Sequence, residues 1–150
     1  MIATAHRQKS TKMSLAVHTP RILCVDDDPD LHTNLELRMQ IYDVKIERAF
    51  YGMQGIVEAA HTLPDLILMD HAMPNGDGEY LLQCIKSNRA TANIPIIVLT
   101  GMRDPVLRNR LIAGGADVFL NKPIAFDDLV HEMSRFIDLR LREDEGGNPC

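Results

Sequence analysis

Carboxylates, a hydroxyl and an amine stand at the ends of apolar runs in this sequence. Asp26, Asp27 and Asp28 follow Ile22-Leu23-Cys24-Val25, and Asp70 follows Leu66-Ile67-Leu68-Met69. Thr100 closes Ile96-Ile97-Val98-Leu99, and Lys122-Pro123 comes just after Val118-Phe119-Leu120. Two carboxylates about 4 Å apart repel by roughly 4 kcal/mol at an effective dielectric near 20, so Asp26, Asp27 and Asp70, once gathered, need a cation. A hard divalent ion meets that need. Mg²⁺ takes one or two carboxylates, a carbonyl and several waters, which leaves positions open for phosphate oxygens. Lys122 adds a point charge for the same oxygens. Singly, each residue has a plainer reading: an Asp after a strand is often a helix N-cap, Thr100 a strand-end cap and Lys122 a surface charge. Only their joint placement at the exits of four strands carries weight.

The elements that must position them follow from the pattern of the runs. Apolar runs that do not alternate imply strands covered on both faces, as in a parallel sheet, whereas Val44-Lys45-Ile46-Glu47 alternates and suits an edge. Helices separate the strands. Asp28 then Pro29 reads as an N-cap and first-turn proline, with Leu31, Leu35, Met39 and Tyr42 on one apolar face. Further helices fit Met53–Ala60, Glu79–Asn88, Pro105–Ala113 and Asp127–Leu141, the last with Leu129, Val130, Met133, Phe136, Ile137 and Leu141 as its buried stripe. Five βα units in this order predict an α/β fold, a doubly wound five-stranded parallel sheet with right-handed crossovers. In such sheets ligands bind outside the carboxyl ends of the strands, near the point where strand order reverses.

The chain has 150 residues, 45% of them hydrophobic, enough for one core. A formal net charge of −5 and a pI near 5.6 give no broad basic surface, so nucleic acid is not an expected partner. Cys24, Cys84 and Cys150 are odd in number and far apart, which points to a reducing cytoplasm. No apolar run approaches the roughly 20 residues of a membrane span. Residues 20–142 are expected to form the domain. Residues 1–19, with Arg7, Lys9 and Lys12 and no acid, are expected to be a mobile tail in which Met13 is an alternative start; residues 143–150 are expected to be a second one. The Met73–Gly78 loop, with its Pro and two Gly, should be bent, with one turn position at positive φ, and shape the pocket rather than react. The six histidines show no ligand spacing. His71, beside Asp70, is expected to be solvated, because successive strand-end side chains point apart.

The stretch from Arg21 to about Leu141 resembles response-regulator receiver domains, in a chemotaxis-regulator-like single-domain form. The resemblance rests on Val25-Asp26-Asp27-Asp28-Pro29, Leu68-Met69-Asp70, Met73-Pro74-Asn75-Gly76-Asp77-Gly78, Leu99-Thr100, Gly115-Ala116-Asp117 and Asn121-Lys122-Pro123. It implies a flavodoxin-like (βα)5 fold with strand order 2-1-3-4-5. It also implies that Asp70 is the phosphoacceptor, Asp27 the direct Mg²⁺ ligand, Asp26 its partner through water and the Ala72 backbone carbonyl a further ligand. Thr100 would hydrogen-bond one phosphoryl oxygen and Lys122 pair with another, with Lys122-Pro123 a cis peptide. Phe119 falls at the family's switch aromatic, although it reads nearly as well as a plain core residue of the last strand.

What the resemblance implies in function is phosphoryl transfer from a histidine kinase or histidine phosphotransfer protein to Asp70. A shift of the face formed by the fourth helix, fifth strand and fifth helix would then reach a protein target. No nucleic acid or membrane partner is expected, and the domain would dephosphorylate itself slowly without being a turnover enzyme. With no output segment after Leu141, the signal is expected to leave through a separate protein. Two other readings stand beside it. One is a phosphatase of the haloacid-dehalogenase type with Asp26 as nucleophile, against which Pro29 occupies the flap position. The other is a receiver-shaped interaction module that is never phosphorylated, against which every reactive position is present. Two residues after Asp70 and two after Thr100, where receivers often carry polar groups, stand Ala72 and Met102. Neither offers a strong hydrogen-bond partner to an attacking water, and Gly101, where Ala is usual, adds none.

Overall fold

The computed structural model describes residues 17–73 and 76–144, residues 76 and 77 by backbone alone. The elements run β1 (Arg21–Val25), α1 (Pro29–Met39), β2 (Lys45–Ala49), α2 (Gly52–Thr62), β3 (Leu66–Met69), β4 (Ala72–Met73), β5 (Gly76–Asp77), α3 (Gly78–Ser87), β6 (Ile96–Thr100), α4 (Pro105–Ala113), β7 (Val118–Asn121) and α5 (Phe126–Ser134). Five strands form one sheet in the order β2-β1-β3-β6-β7, every pair parallel, which is the 2-1-3-4-5 order of the doubly wound fold. The short β4 and β5 pair antiparallel as a separate hairpin inside the expected bent loop. None of the loop's described positions has positive φ. Its residues 74 and 75 lie outside the described residues, as do the N-terminal tail to residue 16 and the end from residue 145.

Alternation along the central strands divides the core into two layers. Leu23, Val25, Ile67, Met69, Ile96 and Val98 face one way, onto Ala59 of α2, Leu81 and Ile85 of α3, and Leu107 and Leu111 of α4. Ile22, Cys24, Leu66, Leu68, Ile97 and Leu99 face the other, onto Leu35 and Met39 of α1 and Leu129 and Met133 of α5. The approach of α2 to β1 is so close that a Cβ on Gly55 would lie 2.9 Å from Val25, so only glycine fits without a shift. Among the described residues, no helix is long and apolar enough to cross a membrane.

Three sequence expectations need correction. β7 is half-buried along its whole length rather than covered on both faces, because it forms the sheet edge. The last helix stops at Ser134 instead of Leu141. Beyond it the chain leaves the helix and pairs with the α1–β2 connection: Asp43 N–H donates to the Arg140 carbonyl at 2.8 Å, and Arg142 N–H to Ile41 at 2.8 Å. This antiparallel contact, centred on Tyr42 and Leu141, satisfies backbone groups that a longer helix would leave to water. Leu141 is consequently 66% exposed, not part of the buried stripe, while Ile137 is buried.

Candidate functional site

The exits of β1, β3, β6 and β7 meet at one rim, at the carboxyl edge where β1 and β3 are neighbours and their crossovers diverge. At the β1 exit, Asp28 caps α1, its carboxylate accepting from Asp30 N–H at 2.9 Å, with Pro29 in the first turn. That makes the third acid of the run a cap and leaves Asp26 and Asp27 for the site. Asp26 is buried and held at every polar atom. Its N–H donates to the Ala49 carbonyl at 3.0 Å, Oδ1 accepts from Asp28 N–H at 2.9 Å, Oδ2 accepts from Lys122 Nζ at 2.7 Å, and its carbonyl meets His32 Nε2 at 2.7 Å. Asp27, by contrast, is exposed.

Asp70 leaves β3 with its N–H bonded to the Val25 carbonyl at 2.9 Å, which ties the β3 exit to that of β1. Its Oδ1 accepts from Ala72 N–H at 3.2 Å, and Oδ2 lies 3.4 Å from Lys122 Nζ. Burial raises the Asp70 carboxyl above its ordinary value, against the charge of Lys122 and the Ala72 N–H, which lower it. Burial pulls the Lys122 ammonium down, but its hydrogen bond to Asp26 and the charges of Asp26 and Asp70 outweigh that and leave it above its usual value. Directly beneath, the Cys24 thiol is pushed up to about 12, chiefly by burial and then by the charge of Asp26.

Carboxylate oxygens of Asp26, Asp27 and Asp70 all lie within 4.8 Å of one another. Three carboxylates face one ammonium, and that imbalance fits a divalent cation. The all-oxygen donor set is that of a hard ion, with Asp27 placed at the open side. Thr100 is fully buried at the end of β6, its hydroxyl accepting from Met102 N–H at 3.2 Å, while Asn121 Nδ2 donates to the Met102 carbonyl at 2.9 Å. Lys122 N–H in turn bonds the Thr100 carbonyl at 2.9 Å, and the Lys122-Pro123 peptide is cis, as expected. Phe119 sits opposite Val98 in the β6–β7 register and packs, partly buried, against the α2–α4 layer of the core.

His71 is not solvated. Its side chain is only 15% exposed, and Nε2 lies 3.8 Å from Glu79 Oε1. The first turn of α3 comes down on it: a Cβ on Gly78 would stand 2.7 Å from the His71 Cα. His32, fully buried in α1, went unremarked in the sequence, yet it falls three and seven residues before Leu35 and Met39, on the same buried face. The Gly115-Ala116-Asp117 motif also has a physical account: Gly115 adopts φ +111, and Asp117 accepts from Ile96 N–H at 2.8 Å, anchoring the start of β6.

Comparison with known proteins agrees with this geometry. The family model "Response regulator receiver domain" matches residues 22–134. The hybrid signal transduction histidine kinase D of Dictyostelium discoideum is 32% identical over 122 residues, 81% of this chain and 8% of that protein. The signal receiver domain of a putative Luxo repressor protein from Vibrio parahaemolyticus superposes with a TM-score of 0.74 at 28% identity, covering 79% of this chain and 90% of that one. The receiver domain of the sensor histidine kinase PA1611 from Pseudomonas aeruginosa PAO1, with a magnesium ion coordinated in its active site cleft, gives a TM-score of 0.72 at 26% identity, over 79% and 98% of the two chains. The chain belongs to the response-regulator receiver-domain family. It spans between 8% and 54% of the length of the curated relatives it matches.

Proposed function

We propose that Asp70 accepts a phosphoryl group from a phosphohistidine donor, and that the domain works as a phosphorylation switch rather than as a turnover enzyme. The observation that carries this reading is the imbalance at the rim, three carboxylates against one ammonium, with Asp70 at its floor. An Asp70 carboxylate oxygen attacks phosphorus, the P–N bond of the donor imidazole breaks, and its electron pair returns to the leaving nitrogen, which takes up a proton. Ala72 N–H and Lys122 hold the attacking carboxylate in place. Asp27, Asp26, Asp70 and the Ala72 carbonyl are the residues that would hold Mg²⁺. When bound, that ion supplies charge neutralisation at the phosphoryl oxygens.

Once Asp70 is phosphorylated, Lys122 has a new anion to pair with, and the Thr100 hydroxyl, which accepts from Met102 N–H, has an acceptor for its own O–H. Both residues join the rim to β7 and the loop before α4, so the charge change is read out on the α4–β7–α5 face, with Phe119 following Thr100. The donor is a histidine kinase or histidine phosphotransfer protein and the target a protein docked on that face. The free thiols of Cys24 and Cys84 support a cytoplasmic setting. Incubation with acetyl phosphate and Mg²⁺ tests the assignment: the parent should be labelled and Asp70→Asn should not. Equal labelling of the variant would remove Asp70 from its role. Steady turnover of p-nitrophenyl phosphate would favour a phosphatase instead.

A further inference from the structure

Asp27 makes no hydrogen bond among the described residues, so its position at the mouth of the site depends on the backbone that carries it. That backbone is the peptide unit joining Asp26 to Asp27, a rigid plane in which the Asp26 carbonyl and the Asp27 N–H point opposite ways. The carbonyl meets Nε2 of His32 at 2.7 Å, inside the structure. A carbonyl only accepts, so Nε2 carries the hydrogen. The imidazole is fully buried in the first turns of α1, against the Phe50 ring at 4.7 Å. Its other nitrogen, Nδ1, has no hydrogen-bond partner among the described residues. Glu36, one turn further along α1, is engaged by Arg48 of β2. A polar ring has thus been buried with one hydrogen bond, and that bond is spent on the residue before Asp27.

We propose that His32 is a positioning residue for the metal-binding turn: by clamping the Asp26 carbonyl it fixes the plane of the Asp26–Asp27 peptide and so aims Asp27 at the cation. The other atoms of Asp26 are held by Ala49, Asp28 and Lys122, and none of those contacts restrains the carbonyl. Without His32 the carbonyl is left buried with no donor, and the plane is free to turn toward water. Asp27 then has to be ordered by the ion itself, which lowers affinity.

This inference rests on the Mg²⁺ reading of the acidic cluster. Its test uses two variants of near-equal length and volume, His32→Gln, whose Nε2 amide can still donate, and His32→Met, which cannot. Mg²⁺ is titrated into the full chain by calorimetry, with Asp27→Ala as control. The expected result is affinity within about twofold of the parent for His32→Gln and roughly tenfold weaker for His32→Met. Parent-like Mg²⁺ affinity in folded His32→Met would overturn the role of His32, as would an equal loss in both folded variants. A parent that binds no Mg²⁺ would instead overturn the reading of the cluster. Should His32→Met fail to fold, ¹⁵N shifts of the His32 ring in the parent decide: the Nε2–H form, responding to Mg²⁺, supports the clamp, and the Nδ1–H form or an unresponsive ring refutes it.

Discussion

Replacing Lys122 by methionine keeps most of the apolar stem and removes the one ammonium shared by Asp26 and Asp70. Across the 3.4 Å between Lys122 Nζ and Asp70 Oδ2, opposite charges attract by about 4.9 kcal/mol at an effective dielectric of 20 and about 1.2 kcal/mol at that of water. The variant loses this attraction while no longer desolvating the ammonium. The Lys122 side chain is 26% exposed, so solvent screening places the value between these bounds. Asp26 Oδ2 also loses its 2.7 Å charged hydrogen bond, and a buried acceptor left without a donor costs about 1–3 kcal/mol. The metal-free variant should therefore be less stable than the parent by about 2–4 kcal/mol at neutral pH.

The pH dependence of that deficit has a defined sign. Asp70 already lies above its ordinary value of 3.8 with Lys122 in place, and without the ammonium it rises further. Between the ordinary and the raised value the folded state binds more protons than the unfolded one, so stability falls as pH rises. The deficit should shrink as pH falls below the ordinary value of 3.8, where Asp70 is largely protonated in both states, and be fullest above the raised value. Mg²⁺ at about 100 times its Kd restores roughly 2.7 kcal/mol by linkage. Urea unfolding of parent and variant at several pH values, with and without Mg²⁺, measures all of this. Equal stability at neutral pH without metal, or a deficit indifferent to both pH and Mg²⁺, would refute the electrostatic account.

Leu63 ends α2 in the left-handed region at φ 48 and is 52% exposed, so Leu63→Gly should raise stability by about 0.5–1 kcal/mol, and a lower urea midpoint would contradict this. Gly78→Ala would bring its Cβ to 2.7 Å from the His71 Cα and 3.0 Å from its carbonyl, backbone atoms that cannot step aside; a loss of about 1–3 kcal/mol is expected. Gly101→Ala meets nothing within 4 Å and should stay within about 0.5 kcal/mol of the parent by the same measurement. Ala72→Asn, which offers a water a polar partner two residues after Asp70, should shorten the life of phospho-Asp70 severalfold. Label decay after donor removal checks it, and an unchanged rate would refute water positioning.

The sheet was legible because Leu66–Met69 and Ile96–Leu99 are uninterrupted apolar runs, a pattern that only a strand covered on both faces tolerates in this length. Asp26, Asp27, Asp70 and Lys122 were legible by their place after such runs, since strand exits in a doubly wound sheet converge at one edge. The end of α5 was not. Phe136, Ile137 and Leu141 keep helical spacing, but whether a helix continues is decided by competition with the α1–β2 connection, whose carbonyls and N–H groups are far away in sequence. His71 was misread for a related reason: strand alternation says which way a side chain starts, not that α3 will descend upon it. His32 was overlooked because an imidazole among Leu35 and Met39 looks like a chance interruption of an apolar face until its Nε2 is seen to reach Asp26.

Cys24 gives the domain an internal clock. Its thiol lies in β1, between β2 and β3, 1% exposed and with its pKa pushed up to about 12. Thiolate is the species that alkylating reagents consume, and neither thiolate nor reagent has access while β1 stays paired on both sides. Cys84 on α3 is only partly covered and should react from the folded state. Slow labelling of Cys24 against fast labelling of Cys84 therefore counts the openings of the central sheet, and its retardation by Mg²⁺ or by phosphorylation of Asp70 would report how strongly events at the rim lock the strands below.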